Sequence, residues 1–418
     1  MRRHADGPAP TTEALPFAER PLRVLIVRHG YFPADPRVRR EVTALVSRGH
    51  EVDVVCLREP GQDARETVAG ARVVRLPIGH RRASSGRYLL EYGAFGASAA
   101  ATVAALHLRR RYDLVQVNTM PDALVFAALA PKLAGASVLL DLHEVMPELY
   151  ASKFGVPLSH PLPRLLAATE RLAVDFADAC IAVSRPCLDR YVDRGSPPDK
   201  FTVVMNTPDP QLFARVAAAP EPDGSGGRAP TAVSHGTLVE RYGFDLLLTA
   251  VAELPGVRLD IVGDGEERPR LEREAESLGI DDRVAFTGRV AVDAVAERIR
   301  RADVGVVANR RDEFTDLVVP TKLLEYVAVG VPAVAARTPA VEEYFDGRAI
   351  QYFRAGDARD LARALGEVLG DPERRREMVE EADRQFNARY GGSKMHDRYA
   401  DLVERSASRA RDLRTRRG

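Results

Sequence analysis

The sequence predicts two successive Rossmann-like, doubly wound α/β domains facing a central cleft. Three observations carry this. At roughly 150 residues per domain, a chain of 418 residues suggests two domains. Short apolar and β-branched runs alternate with stretches of helical period along most of the chain. A Pro-, Gly- and Ser-rich stretch without periodicity, AAAPEPDGSGGRAP at 217–230, splits the alternation into two series. The expected organisation is a disordered leader at 1–20, an N-terminal domain at 21–206, a C-terminal domain at 207–385 and a C-terminal helix at 386–418.

In the first series, Leu22 to Val27 is a buried-type strand, followed by a loop from Arg28 to Pro33. A helix starts near Pro36, because Val38, Val42, Leu45 and Val46 fall on one face, and Gly49 stops it. Glu51 to Leu57 is the next strand. Strand, helix, strand with short links implies a right-handed crossover and parallel pairing. Further strands are expected at Asp113–Val117, Ser137–Asp141, Ala179–Val183 and Phe201–Met205. Helices are expected at Glu91–Arg110 and Leu162–Phe176.

The second series places strands at Thr231–Ser234, Val257–Val262, Arg283–Phe286, Asp303–Ala308, Pro332–Ala335 and Ala349–Tyr352. Its helices run over Gly243–Ala252, Glu267–Leu278, Val292–Arg300, Thr321–Val329 and Asp357–Leu369. From Asp371 the tail is charged and helical, and it ends in a basic run with Arg409, Arg411, Arg414, Arg416 and Arg417. A solvated helix with a frayed end explains that run; contact with anionic lipid is the alternative.

Composition narrows the function. Lys plus Arg number 60 and Asp plus Glu number 60, so the basic excess of a nucleic-acid binder is missing. Cys56, Cys180 and Cys187 form neither a disulfide framework nor a CxxC pair, which fits a reducing compartment and gives no zinc site. No run of 18 apolar residues exists, and residues 1–20 lack the apolar core of a signal peptide. The expected location is cytoplasmic, with peripheral contact at the inner membrane face as an open option.

Ligands of doubly wound sheets bind at the carboxyl ends of strands, so the loops there were read for chemistry. Neither half has GxGxxG after its first strand: Gly263-Asp264-Gly265 lacks a third glycine at the right spacing, which weakens a dehydrogenase reading. In the first loop, Gly30 permits close backbone approach, and Arg37, Arg40 and Glu41 share a helix face, either as surface ion pairs or as an acceptor-binding edge. Asp141-Leu142-His143-Glu144 ends a strand with a polar cluster. In the second half, Gly236 and Thr237 end the first strand and Arg241 precedes the next helix, a combination suited to a phosphate. The densest group is Pro320-Thr321-Lys322-Leu323-Leu324-Glu325. Pro320 starts a helix, and Lys322 and Glu325 are three apart on one face. A cation near a helix N-terminus gains nothing from the macrodipole, so an anionic ligand explains Lys322 better than a surface ion pair.

The stretches DPRVRREVTALVSRGHEVDVV (35–55), LLDLHEVMPE (139–148), ADACIAVS (177–184), HGTLVERYGFDLLLTA (235–250), VGDGEERPRLE (262–272), DRVAFTGRV (282–290) and PTKLLEYVAVGVPAV (320–334) occur in an order that resembles the retaining glycosyltransferases of family 4, group 1 type, with the GT-B fold. The resemblance implies a nucleoside-diphosphate sugar of UDP or GDP type bound in the second domain and a hydroxyl acceptor (a glycan, lipid-linked or small molecule) in the first. It implies donor contacts from Gly30, Gly236, Thr237, Arg241, Arg289, Val290, Thr321, Lys322 and Glu325, with Glu325 on the ribose. It implies that His143 stands beside the transferred sugar, that Arg241 and Lys322 meet the diphosphate, and that Tyr31, Arg37 and Arg40 meet the acceptor. It also implies that the tail crosses back to the N-terminal domain.

Two departures from the family pattern matter most. Leu317 stands where the first of two paired glutamates is expected, which makes Glu313, Thr315 and Asp316 candidates for the lost sugar contact. Tyr242 replaces the usual Lys before Gly243, leaving Arg241 as the nearby cation. The implied reaction transfers a sugar with retention, without cofactor or metal, because cations and helix amides stabilise the departing diphosphate. A catalytically silent partner subunit, suggested by Leu317, and a sugar-nucleotide epimerase are the competing readings.

Overall fold

The computed structural model describes residues 20–78, 85–215 and 228–415. Residues 1–19 of the expected leader lie outside the described residues, as do 216–227 of the break between the two series. The N-terminal domain is built from β1 (Arg23–Arg28), α1 (Pro36–Ser47), β2 (Glu51–Leu57), β3 (Arg65–Val68), β4 (Ala71–Leu76), α2 (Ser85–Arg110), β5 (Leu114–Asn118), α3 (Leu129–Leu133), β6 (Ser137–Leu142), α4 (Met146–Phe154), α5 (Pro161–Phe176), β7 (Ala179–Ala182), α6 (Arg185–Asp193) and β8 (Phe201–Val203). The C-terminal domain follows as β9 (Thr231–His235), α7 (Phe244–Ala252), β10 (Arg258–Val262), α8 (Arg268–Ser277), β11 (Val284–Gly288), α9 (Val292–Arg301), β12 (Val304–Val307), α10 (Thr321–Val329), β13 (Ala333–Ala336), α11 (Pro339–Glu342), β14 (Gln351–Phe353), α12 (Ala358–Gly370) and α13 (Pro372–Ala382). A π turn, α14 (Ala388–Tyr390) and α15 (Gly392–Thr415) complete the chain.

The first sheet has eight strands in the order β3-β4-β2-β1-β5-β6-β7-β8, parallel except for β3. The second has six parallel strands, β11-β10-β9-β12-β13-β14. Strand order reverses between β1 and β5 in one sheet and between β9 and β12 in the other. The crossover helices diverge at these switch points, which leaves a crevice at the carboxyl ends of the strands. Arg28 and Asn118 end the first pair; His235 and Val307 end the second.

Local chemistry explains the elements. The carboxylate of Asp35 accepts from the Arg37 amide and caps α1, whose Pro36 needs no donor at that place. Ser184 caps α6 in the same way. Parallel strands covered on both faces read as continuous apolar runs, and VGVV of β12 and AVAA of β13 are buried throughout. The strands β3 and β4 and the helices α3, α4, α6 and α11 were not expected. Strand β4 escapes a periodicity search because Arg72 and Arg75 interrupt its apolar residues; both are drawn in by carboxylates, Arg72 by Asp53 at 2.6 Å and Arg75 by Glu66.

The tail packs against both domains. Phe386 packs in the core of the C-terminal domain, whereas Tyr399, Ala400, Leu402, Val403 and Ala407 of α15 pack with Val38, Val42 and Leu45 of α1. Arg48, at the end of α1, pairs with Asp401 at 2.6 Å and with Asp397 at 3.1 Å, and His50 meets Glu404 at 3.0 Å. The chain therefore returns from the second domain and covers the outer face of the first. Arg409 is exposed, and Arg416 and Arg417 lie outside the described residues.

Candidate active site

On the N-terminal side, buried charge gathers where β1, β5 and β6 end. Arg28 donates to Asp35 at 3.1 Å and to the Thr119 carbonyl. Asp35 also holds Arg37 at 3.1 Å, and Arg37 reaches Glu144 at 3.9 Å. Beneath this layer, Glu41, Asp141 and His143 are each at least nine-tenths buried. Asn118 Nδ2 donates to Glu41 Oε2 at 2.8 Å and lies 3.2 Å from His143 Nε2. The His143 amide is held by Thr119 Oγ1 at 3.1 Å.

Burial, reinforced by the neighbouring Asp141 carboxylate, pushes the Glu41 carboxyl well above the usual carboxylate range. Burial likewise raises Asp141. Two carboxyls in contact cannot both ionise in such a place, so the pair holds one proton. Burial and the charges of Arg37, Arg28 and Arg40 hold His143 well below the usual imidazole range, so its ring is neutral. Its Nδ1 is buried and has no hydrogen-bond partner among the described residues.

Glu41, Asp141 and His143 offer ligand atoms within 4.8 Å of one another. Arg28, Arg37 and Arg40 already surround them with positive charge. The donor set suits a shared proton better than a divalent ion, whose ligands would all have to be deprotonated amid three guanidinium groups.

On the C-terminal side, Lys322 sits in the first turn of α10, 94% buried. Its Nζ has no hydrogen-bond partner among the described residues and lies 5.0 Å from the ring centroids of both Tyr242 and Phe244. Burial lowers its pKa to about 8. A Cβ on Gly236 would lie 3.8 Å from this ammonium, so the glycine keeps the space before it open. Neither α7 nor α10 has a side-chain cap, so their first amides remain free to donate. Gly243, at φ +62°, starts α7 where any Cβ would strike the Ala308 carbonyl.

Lys322 and Glu325 are not the surface ion pair that their spacing allowed. Glu325 Oε2 instead approaches His235 Nε2 at 2.9 Å. Arg241 reaches across the cleft, with its Nη1 3.4 Å from Ser152 Oγ of α4 and its guanidinium over Phe314. Thr237, Thr321 and Arg289 are exposed, and Val290 is half-buried.

Other residues of the expected site have partners within the protein. Gly30 is tied to the sheet edge, its carbonyl accepting from the Leu57 amide at 2.9 Å, and its Cα packs against Arg28. Arg40 donates to Asn206 Oδ1 at 3.1 Å and lines a small cavity with Arg37, Glu41, Asp141 and Tyr399. Tyr31 packs against the N-terminal core. Leu317 is buried against that same core, with its carbonyl accepting from Ser184 Oγ at 3.0 Å. Thr315 donates to the Arg310 carbonyl at 2.7 Å, and Asp316 pairs with Arg311 at 2.6 Å.

The sequence reading overlooked Gln116, Asn118 and Tyr399, and it did not pair His235 with Glu325. One signal was available. In the strand LVQVN, Gln116 and Asn118 are two apart and hence on one face of a fully buried strand, which demands polar partners.

The chain matches two family models: a glycosyl transferase 4-like domain over residues 34–207 and glycosyl transferases group 1 over residues 218–385. It is 30% identical over 397 residues to 2-deoxystreptamine N-acetyl-D-glucosaminyltransferase of Streptomyces fradiae, an alignment covering 88% of this chain and 87% of that one. It is 32% identical over 176 residues to the lipopolysaccharide core biosynthesis glycosyltransferase LpsE of Rhizobium meliloti, covering 42% of this chain and half of that protein. Anabaena HepE in complex with UDP-glucose superposes with a TM-score of 0.68 at 17% identity, covering 92% of this chain and 99% of that one.

Proposed function

The chain belongs to the group 1 glycosyltransferases, and we propose that it moves a sugar from a UDP- or GDP-type nucleotide donor to a hydroxyl acceptor with retention of configuration. The observation that carries the donor assignment is Lys322, a buried ammonium with no acceptor among the described residues, at the uncapped start of α10 beside Gly236. A dianionic diphosphate supplies the missing acceptor. Arg241 adds a second cation at the same mouth. As the glycosidic bond to the leaving phosphate lengthens, charge grows on the diphosphate, and prearranged cations and amides stabilise it more than they stabilise the ground state. Glu325, oriented by His235, accepts from the donor ribose diol. The neutral His143 faces the sugar from the other domain and fixes one of its hydroxyls. Departing phosphate and attacking hydroxyl on one face of the sugar account for retention, with the phosphate taking the proton. No cofactor enters. The name of HepE's bound ligand supports a uridine donor, and the Streptomyces relative supports a small hydroxylated acceptor. Arg37 and Tyr31 edge the acceptor side.

Titration calorimetry with UDP and GDP tests the donor site. One of them binds, and Lys322→Met removes the binding. If neither nucleotide binds at millimolar concentration, or if Lys322→Met binds like the parent, the reading is wrong. Anomeric NMR of the product tests retention.

A further inference from the structure

A chain of four side chains runs from the last helix into the candidate active site. Tyr399 OH donates to Gln116 Oε1 at 2.6 Å. Gln116 Nε2 donates to Asn118 Oδ1 at 2.9 Å. Asn118 Nδ2 faces His143 Nε2 at 3.2 Å and donates its other hydrogen to Glu41 Oε2 at 2.8 Å. All five residues are buried.

Each carboxamide has a donor end and an acceptor end, so the chain has a direction. With Tyr399 donating, both amides point their NH2 groups toward His143, and Nε2 of the ring must accept. The ring proton then sits on Nδ1. The opposite direction would have Tyr399 accepting and Nε2–H donating, leaving Nδ1 bare. A second acceptor favours that alternative: Asp141 Oδ2 is 3.5 Å from the same Nε2 and would draw the proton to it. The hydroxyl at the far end decides between the two: it is buried and its hydrogen bond is to Gln116 Oε1, so accepting instead would leave a buried O–H without an acceptor.

We propose that Tyr399, in the helix that returns from the C-terminal domain, is a positioning residue that fixes His143 as the Nδ1–H tautomer and so makes its neutral ring a hydrogen-bond donor. This rests on His143 meeting the donor sugar. Its Nδ1 is the one ring atom left without a partner among the described residues, so the proton held there is available for a sugar hydroxyl. Asn118 and Gln116 carry the orientation; Glu41, holding Asn118 from the side, keeps the amide from rotating.

The test is histidine 15N NMR on the intact protein, with the His143 signals identified by their loss in His143→Gln. Wild type shows a protonated Nδ1 and an unprotonated Nε2. In Tyr399→Phe the ring stays packed but the direction is lost, and His143 moves to the Nε2–H form against Asp141. Gln116→Met, which cuts the chain at its second link, does the same. In steady-state assays Tyr399→Phe lowers kcat by about tenfold and leaves the donor KM within about twofold, because uniform binding at Lys322 is untouched. An Nε2–H ring in wild type, or a tautomer unchanged by both variants, overturns the proposal. Should His143→Ala retain full turnover, the assignment of His143 to the sugar fails instead, and the tautomer result stands apart from it.

Discussion

The carbonyl oxygen of Leu317 in the C-terminal domain accepts a 3.0 Å hydrogen bond from the hydroxyl of Ser184 in the N-terminal domain. The same hydroxyl accepts from the Cys187 amide and so caps α6. The Leu317 side chain fills a place in the N-terminal core, and Cys187 Sγ lies 3.4 Å from its carbonyl. Leu317 is thus a latch across the cleft.

Leu317→Ala should weaken that latch. Truncating a buried leucine costs about 2–5 kcal/mol, and the lower end applies at a seam between domains. We expect a lower melting temperature and a more open cleft by small-angle scattering. The affinity for nucleoside diphosphate should stay within about twofold, because Leu317 offers no polar contact. A large loss of affinity with unchanged stability would refute this assignment.

Glu325→Ala should weaken donor binding about tenfold or more, since losing a charged hydrogen-bond partner costs ~1.5–3 kcal/mol. His235→Ala should cause part of the same loss, because His235 Nε2 lies 2.9 Å from the carboxylate and limits where it can swing. Binding measured with the nucleoside diphosphate and with the free diphosphate separates the cases: the loss appears only when ribose is present.

Lys322 gives two pH signatures of opposite sign. Burial lowers its pKa to about 8 from 10.5. Between those values the unfolded chain holds a proton that the folded chain has lost, so this group makes stability rise with pH through that window. Diphosphate binding needs the charged form, so donor affinity falls above about pH 8, by up to about tenfold per pH unit. Calorimetric titrations from pH 7 to 10 should show the fall, and Lys322→Met should show neither effect.

Turnover should persist in EDTA. The one group of potential ligands among the described residues, Glu41, Asp141 and His143, holds a proton and is ringed by Arg28, Arg37 and Arg40. Loss of activity in chelator, restored by Mg²⁺ or Mn²⁺, would contradict that view of the cluster.

The parallel strands were legible because burial on both faces leaves an unmixed apolar run, as in Val304–Val307. Lys322 was legible because a cation at a helix start opposes the macrodipole and needs a reason. What stayed hidden depends on partners distant in sequence. Arg72 looks like an interruption until Asp53 stands beside it, and Gln116 looks anomalous until Tyr399 arrives from 283 residues away. The packing of Leu317 was hidden for the same reason: its buried neighbours belong to the other domain.

The return of α15 onto α1 has a consequence for biosynthesis. Helix α1 is translated before the second domain, and the residues that pack beside its Val38, Val42 and Leu45, Tyr399 to Ala407, are translated after it. The N-terminal sheet can form beforehand, but its outer layer waits until the second domain has been made. In that interval the nascent chain presents an uncovered apolar stripe, the kind of surface that holdase chaperones bind. The nascent enzyme also lacks the Tyr399 hydroxyl at Gln116 until that final helix docks, so assembly of the fold and completion of the site end in the same step.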